Sequence, residues 1–168
     1  MQLPDTGQVK CYRDVSPYDE IPCAGTGQDG EIRAGATWPN PRFTVNGDCV
    51  TDNLTGLMRP RNGDLAGMTS WYSAIDYAND LTLCGYSDWR LPNLNELESL
   101  VNAEVSNTAT WLNTQGFYNV RSSRYWSSTS CAFDTGRAWV VYMGNGGVSN
   151  SSKDGYGYYD VWPVRSGD

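Results

Sequence analysis

Two hydrophobic periods divide this chain. In its middle, Trp71, Ala74, Ile75, Ala78 and Leu81 recur at helical spacing, the stripe of an amphipathic helix that packs on a core. Ser70 stands where an N-cap belongs and Cys84-Gly85 where a left-handed stop would sit, so a helix is predicted between them. A second helix is predicted from Asn93. Asn93 and Glu96 have the spacing of a capping box, and Leu94, Leu97, Leu100 and Val101 supply its buried stripe. Pro92 keeps Leu91 extended, so a strand or tight loop enters this helix.

Beyond Tyr125 the period falls to two. Trp139, Val141 and Met143 point one way and Val140 and Tyr142 the other, as in a strand. Gly144-Asn145-Gly146-Gly147 predicts a hairpin turn, after which Val148 starts a partner strand running into a polar loop from Ser149 to Asp160. Val161–Arg165 reads as a closing strand, with Pro163 placing it near an edge. Before Asn53 turns dominate: DTG, GTGQDG, WPNP and VNGD. Arg42–Val45 and Cys49–Thr51 flank the last of these as a hairpin. We find no tandem repeat, heptad or long disordered tract, and 168 residues suit one domain over 1–168, with a turn-rich part at 1–53.

Charge narrows the partners. The formal net charge is −7, from 12 Lys and Arg against 19 Asp and Glu. That argues against nucleic acid and heparin-like polyanions, whose affinity needs clustered cations. Arg121, Arg124 and Arg137 read as a scattered, solvated set. Glu96, Glu98 and Glu104 read as a solvated helix face rather than an acid/base pair. The Asp- and Gly-rich turns lack the ligand ladder of a calcium loop, so no cofactor is expected and calcium has no supporting motif. No apolar run reaches the ~20 residues of a membrane span, and no signal segment is present. Met1 followed by QLPDTGQ reads as either an artificial start or a trimmed mature end, and a secretion signal or lipoprotein anchor upstream is the expectation.

Five cysteines in a small Gly- and Tyr-rich chain suggest an oxidising compartment. Cys11 and Cys23 bracket a short loop and can close it; Cys49 and Cys84 follow turn-like residues and can bridge the middle of the domain. Cys131 is then left unpaired. A zinc site is the weaker alternative, since there is no CxxC pair and no histidine. Without histidine the commonest general base and the Ser-His and Cys-His pairs are missing too. No catalytic residue and no metal ligand is assigned.

The tail from Tyr125 to Asp168 interleaves apolar residues with Ser, Asn, Asp, Gly and Tyr. Tyr offers large contact area at low rotamer cost, while Ser, Gly and Asn supply adaptable hydrogen bonds. Such an end is suited to holding a ligand.

Two stretches carry a specific resemblance. GYSDWRLPNLNELESLV (Gly85–Val101) and YWSSTS…AWVVYMGNGGV…VWPVR (Tyr125–Arg165) resemble the C-terminal domain of a collagen-like bacterial adhesin, shared by many secreted proteins and lipoproteins. LPDTGQ, IPCAGTGQDG and VTDNLTGLMR are similar to its N-terminal signatures, so the resemblance covers almost the whole chain. It implies an α+β, C-type-lectin-like fold: two helices on a mixed, mainly antiparallel sheet, with long irregular loops and a binding face made by the final strands. Cys49 and Cys84 stand where this family more usually has glycine, which marks them as a private disulfide.

Domains of this kind recur as variable proteins of diversity-generating retroelements, whose template adenines are copied with errors into the end of the gene. A mutated AAC or AAT codon yields Asn, Ser, Asp, Gly, Tyr, Cys, Phe, Arg or Val. The resemblance therefore marks exchangeable, ligand-binding positions at Cys131, Phe133, Gly136, Arg137, Val140, Tyr142, Ser149, Ser151, Ser152, Asp154, Gly155, Tyr156, Tyr158, Tyr159, Asp160 and Trp162. Trp126, Ala138, Trp139, Lys153, Pro163 and Arg165 form the fixed frame.

Three functions compete. The first is a secreted or surface-displayed binding module for a protein or glycan on another cell or surface, more readily a monomer than a trimer. The second is a fixed-specificity, glycosaminoglycan-type adhesin, which the acidic charge disfavours. The third is an oxidase like the formylglycine-generating enzymes, which use paired cysteines; Cys131 has no sequence-near partner. A binding module without enzymatic activity is the expectation.

Overall fold

The computed structural model describes residues 3–154 and 157–167. The N-terminal part holds β1 (Cys11–Tyr12), β2 (Glu20–Ile21) and the one-turn α1 (Asp29–Ile32), closed by a Cys11–Cys23 disulfide. The hairpin expected before Asn53 forms as β3 (Phe43–Asn46) and β4 (Cys49–Asp52). Two further strands, β5 (Leu57–Pro60) and β11 (Arg165–Ser166), complete an antiparallel sheet in the order β11-β5-β4-β3. The second sheet, in the order β6-β10-β7-β8-β9, is built from β6 (Met68–Thr69), β7 (Arg124–Cys131), β8 (Asp134–Tyr142), β9 (Val148–Ser152) and β10 (Tyr159–Asp160). Its β10–β7 pair is parallel and the others antiparallel, so this sheet is mixed. The architecture is α+β, consistent with a C-type-lectin-like fold.

Four helices are present among the described residues, where two were expected. The helix predicted from Ser70 is α2 (Trp71–Asp80), and the Ser70 side chain accepts from the Ser73 N–H as an N-cap does. It ends short of Cys84-Gly85. Those residues, both at positive φ (54° and 83°), instead make the tight turn of a Leu83–Tyr86 bridge. The helix from Asn93 is α3 (Leu94–Glu98), with both arms of the capping box formed. It stops before Leu100, where the Leu100 and Val101 N–H groups bond Leu97 O and Glu98 O three residues back and side chains take the Glu96 and Ser99 carbonyls. Arg59 Nη2 donates to Glu96 O at 2.6 Å and Arg42 Nη2 to Ser99 O at 2.5 Å. The unforeseen α4 (Thr108–Thr114) is rich in Thr, a poor helix former. It exists because Asn107 caps it and Ala109 and Leu112 are buried.

The mixed sheet is covered on both faces. Val140 and Val141, neighbours on β8, are both fully buried but belong to different clusters. Val140 joins Trp71, Ala74, Ala78 and Trp126 beneath α2. Val141 joins Leu97, Leu100, Leu112, Tyr125, Met143 and Trp162 beneath α3 and α4. A smaller cluster of Cys49, Met58 and Trp89 surrounds the Cys49–Cys84 disulfide.

Two tail expectations are corrected. The first third of the polar loop from Ser149 to Asp160 is β9, whose register Val141↔Val148 to Arg137↔Ser152 is a backbone ladder needing no apolar alternation, and its last two residues are β10. The closing strand at Val161–Arg165 is reduced to Arg165–Ser166, since Pro163 offers no N–H to a ladder and Trp162 instead enters the core.

Candidate functional site

Strands β7, β8 and β9 form an antiparallel ribbon at one side of the mixed sheet. The alternation of β8 places Val140 opposite Trp126 on β7 and Ser149 on β9. On the other side of the ribbon, Arg137 Nη1 donates to Asn150 Oδ1 at 3.0 Å and pairs with Asp134 at 3.2 Å. Phe133, 72% exposed, lies edge-on to Trp139 with ring centroids 6.0 Å apart. The turn between β7 and β8 and the outer strand β9 thus carry mostly polar, accessible side chains over an apolar base.

Two clefts open along this ribbon. One, of about 340 Å³, lies at the β7–β8 turn and is lined by Asp134, Gly136, Arg137, Ser152 and Asp154, with Tyr72 reaching in from α2. The other, of about 500 Å³, lies at the β8–β9 turn and is lined by Arg124, Tyr142, Asn145, Gly147, Val148 and Ser149. There the Arg124 guanidinium sits 6.0 Å from the Tyr142 ring and 5.9 Å from the Tyr159 ring, within cation–π range. A third groove, about 410 Å³ and mostly apolar, runs between the N-terminal segment and α3, away from every predicted tail position.

Beneath the ribbon the aromatic frame is tied by hydrogen bonds. Trp126 Nε1 donates to Thr69 O at 2.9 Å, Trp71 Nε1 to Ser127 O at 2.8 Å, and Trp162 Nε1 to Pro60 O at 2.8 Å. A buried indole N–H needs such a partner. Lys153 is the link between ribbon and helix. Its ammonium donates to Ser130 Oγ at 2.5 Å and Thr135 O at 2.9 Å, and lies 4.2 Å from the Trp71 ring. These contacts are those of a frame residue and hold the β7–β8 turn in place.

The tail positions separate accordingly. Gly136, Arg137, Ser152 and Asp154 meet at the first cleft and Tyr142 and Ser149 at the second. Ser151 Oγ donates to Tyr159 OH at 3.3 Å between the two, while Phe133 and Tyr158 are exposed nearby. Cys131, Val140, Asp160 and Trp162 are fully buried and reach no surface. Strand alternation turns Val140 inward, Asp160 sits in a strand flanked on both sides, and Trp162 fills the core. Burial, and then Asp134, raise the Cys131 thiol above its ordinary range, so it is a poor nucleophile. Gly155 and Tyr156 lie outside the described residues. The tail pattern alone left out Tyr72, Arg124 and Asn145. Tyr72 carried a signal of its own: a large aromatic (61% exposed) next to, not on, the apolar stripe of α2.

Both distinctive motifs prove to be structural. In DWRLPN, Asp88 accepts two hydrogen bonds from Arg165, at 2.7 and 3.2 Å, and Arg90 exchanges backbone hydrogen bonds with Val164. Arg90 also clamps Glu96 through both guanidinium nitrogens, at 2.8 and 2.6 Å. YWSST docks on the same loop, as Ser128 N–H donates to Pro92 O at 2.8 Å and Leu94 N–H to Thr129 Oγ1 at 3.0 Å. Three segments distant in sequence thus form one bonded junction beneath the ribbon. No curated protein matches the chain. The Lcl C-terminal domain model matches residues 48–165, which include the whole junction, both clefts' strands and VTDNLTGLMR, but not LPDTGQ or IPCAGTGQDG, so the match is narrower than the near-whole-chain resemblance expected. With more than half of its length matched, the chain belongs to the Lcl C-terminal domain family.

Proposed function

We propose that this chain is a ligand-binding domain, secreted or displayed on a bacterial surface, that grips a protein or glycan through the β7–β9 ribbon and its two clefts. In this reading it is the variable protein of a diversity-generating retroelement. The observation that carries it is the split of the tail into tied, buried frame residues and accessible Phe, Arg, Ser, Asp, Gly and Tyr side chains on the ribbon. Rigid aromatic anchors beside adaptable polar groups are the composition of a paratope. Exchange at Phe133, Gly136, Arg137, Tyr142, Ser149, Ser152 and Asp154 alters the face while leaving the core intact. The buried positions Cys131, Val140, Asp160 and Trp162 are withdrawn from the contact set and assigned to the base. Two disulfides suit an oxidising compartment. Cys131, the cysteine outside both disulfides, is buried with a raised thiol, which supports binding over the oxidase alternative.

The test is to graft the accessible ribbon residues of a sister copy onto this chain and to screen both proteins against one glycan and cell-surface protein array. Ligand choice that follows the graft supports the reading; unchanged choice sinks it. Scattered mismatches over all four bases between the gene's end and any neighbouring repeat would separately refute programmed variation. Family membership, together with Arg124 held between two tyrosines in the larger cleft, also favours a fixed-specificity adhesin that recognises an anionic glycan. Salt-sensitive retention on heparin that Arg124→Ala abolishes would select this second reading.

A further inference from the structure

Asp160 lies inside the mixed sheet, paired with Met68 on one side and Tyr125 on the other. It is fully buried, and its carboxylate oxygens lack a hydrogen bond of good geometry, with the Ser123 side chain and Arg121 as the polar groups that act on it. One oxygen of Asp64, in the loop after β5, is buried and unbonded in the same way. Both carboxyl groups face one cation, since Arg121 Nη1 stands 3.5 Å from Asp64 and 3.6 Å from Asp160. The neighbouring phenol cannot help. Tyr125 OH spends its proton on Gly63 O at 3.0 Å and accepts the Arg121 N–H at 2.9 Å.

Ionised together, the two acids set two negative charges against one guanidinium that is itself partly in solvent. Desolvating a carboxylate that has only these partners is unfavourable, and the usual relief is uptake of a proton. The groups facing the pair are Arg121 and Ser123 from the segment entering β7, Tyr125 on β7, and Asp64 itself; Met68 and Thr69 on β6 do not titrate. Burial raises the Asp160 carboxyl and Asp64 raises it further, against the opposing pull of Ser123 and Arg121.

We propose that Asp160 keeps its carboxyl proton in the folded protein, where it faces Asp64 across Arg121, and that losing it drives the two carboxylates apart and loosens β10. Strand β10 is where the chain returns from the ribbon to the sheet, so the proton tethers the edge of the candidate binding face. Tyr159, beside Asp160, packs edge-on to Trp126 with ring centroids 4.9 Å apart and bonds Ser151. The inference stands apart from the identity of any ligand.

A group held above its ordinary value binds its proton more tightly when folded. Its stabilisation is complete at low pH and is lost as pH rises through the folded value. Carboxyl NMR titration of the full chain, with urea unfolding of wild type, Asp160→Asn and Asp64→Asn across pH, provides the test. Asp160 is expected to titrate above the ordinary aspartate range, and Asp64→Asn should return it toward that range. Asp160→Asn, which mimics the protonated acid, should overtake wild type in stability as pH rises. If Asp160→Asn fails to fold, the wild-type titration and Asp64→Asn decide the matter. Two aspartates titrating at or below the ordinary range would overturn the proposal. So would Ca²⁺ shifting both carboxyl resonances and raising stability at fixed pH, since the missing charge would then be a metal ion.

Discussion

Trp126 and Phe133 lie on one hairpin, the first fully buried with its indole bonded to Thr69, the second 72% exposed. Both were read in the tail, one as frame and one as exchangeable. Burial makes their substitution costs differ. Trp126→Ala removes a large side chain from a close-packed cluster and is expected to cost about 3–5 kcal/mol. Phe133→Ala removes a solvated ring and should stay within about 0.5 kcal/mol. Urea unfolding of both variants checks this; equal losses would mean that the ribbon is part of the core. The resemblance placed Cys131, Val140 and Asp160 with the exchangeable residues because codon chemistry carries no information about facing, and it counted Trp162 beside them although Trp lies outside that codon set. Strand alternation and the crossing of the chain into the core decided their places.

At the scale of elements, caps were the most legible feature. Ser70 and Asn93 each accept the N–H three residues on, and Glu96 closes the box by accepting the Asn93 N–H at 2.8 Å. Burial opposes ionisation of Glu96, but the Arg90 clamp and the Asn93 N–H outweigh it and hold the carboxyl below its ordinary range. A depressed carboxylate contributes stability above its unfolded value that is lost as pH falls through the folded one. Glu96→Gln should therefore be less stable than wild type near neutrality, with the gap closing on acidification; a pH series of unfolding midpoints measures it. The sign is opposite to that of the Asp64–Asp160 pair, so the two contributions separate on one pH axis. Helix ends were less legible than starts. Carbonyls at the end of α3 are taken by Arg59 and Arg42, contributed by other segments, and Thr-rich α4 has no apolar periodicity strong enough to announce itself.

At the scale of the whole molecule, the fold begins before the family match does. Arg42 precedes residue 48, yet its guanidinium pairs with Asp52 through bonds of 3.3 and 3.2 Å, both side chains being buried. It also lies 4.1 Å from the Trp38 ring, which packs on Trp111 of α4. Breaking a buried pair strands the remaining charge, so Arg42→Ala is expected to cost about 3–5 kcal/mol. A chain cut at Asp48 should lose cooperative thermal unfolding, measurable by circular dichroism, and a truncated chain as stable as the full one would show the N-terminal segment to be dispensable. Periodicity, caps and turn residues by themselves determined α2, the start of α3, the β3–β4 hairpin and the turn between β8 and β9, because each rests on neighbours in sequence. The Cys11–Cys23 pairing, 12 residues apart, was legible for the same reason, whereas Cys49–Cys84, 35 apart, was read from the turns before them and from the family's usual glycines at those positions. Only the tertiary structure decided which tail residues face solvent, that DWRLPN, YWSST and VWPVR meet in one junction, that Tyr72 enters a cleft, and that Asp64 stands beside Asp160. Those facts depend on segments far apart in sequence packing against one another, and local pattern does not encode that meeting.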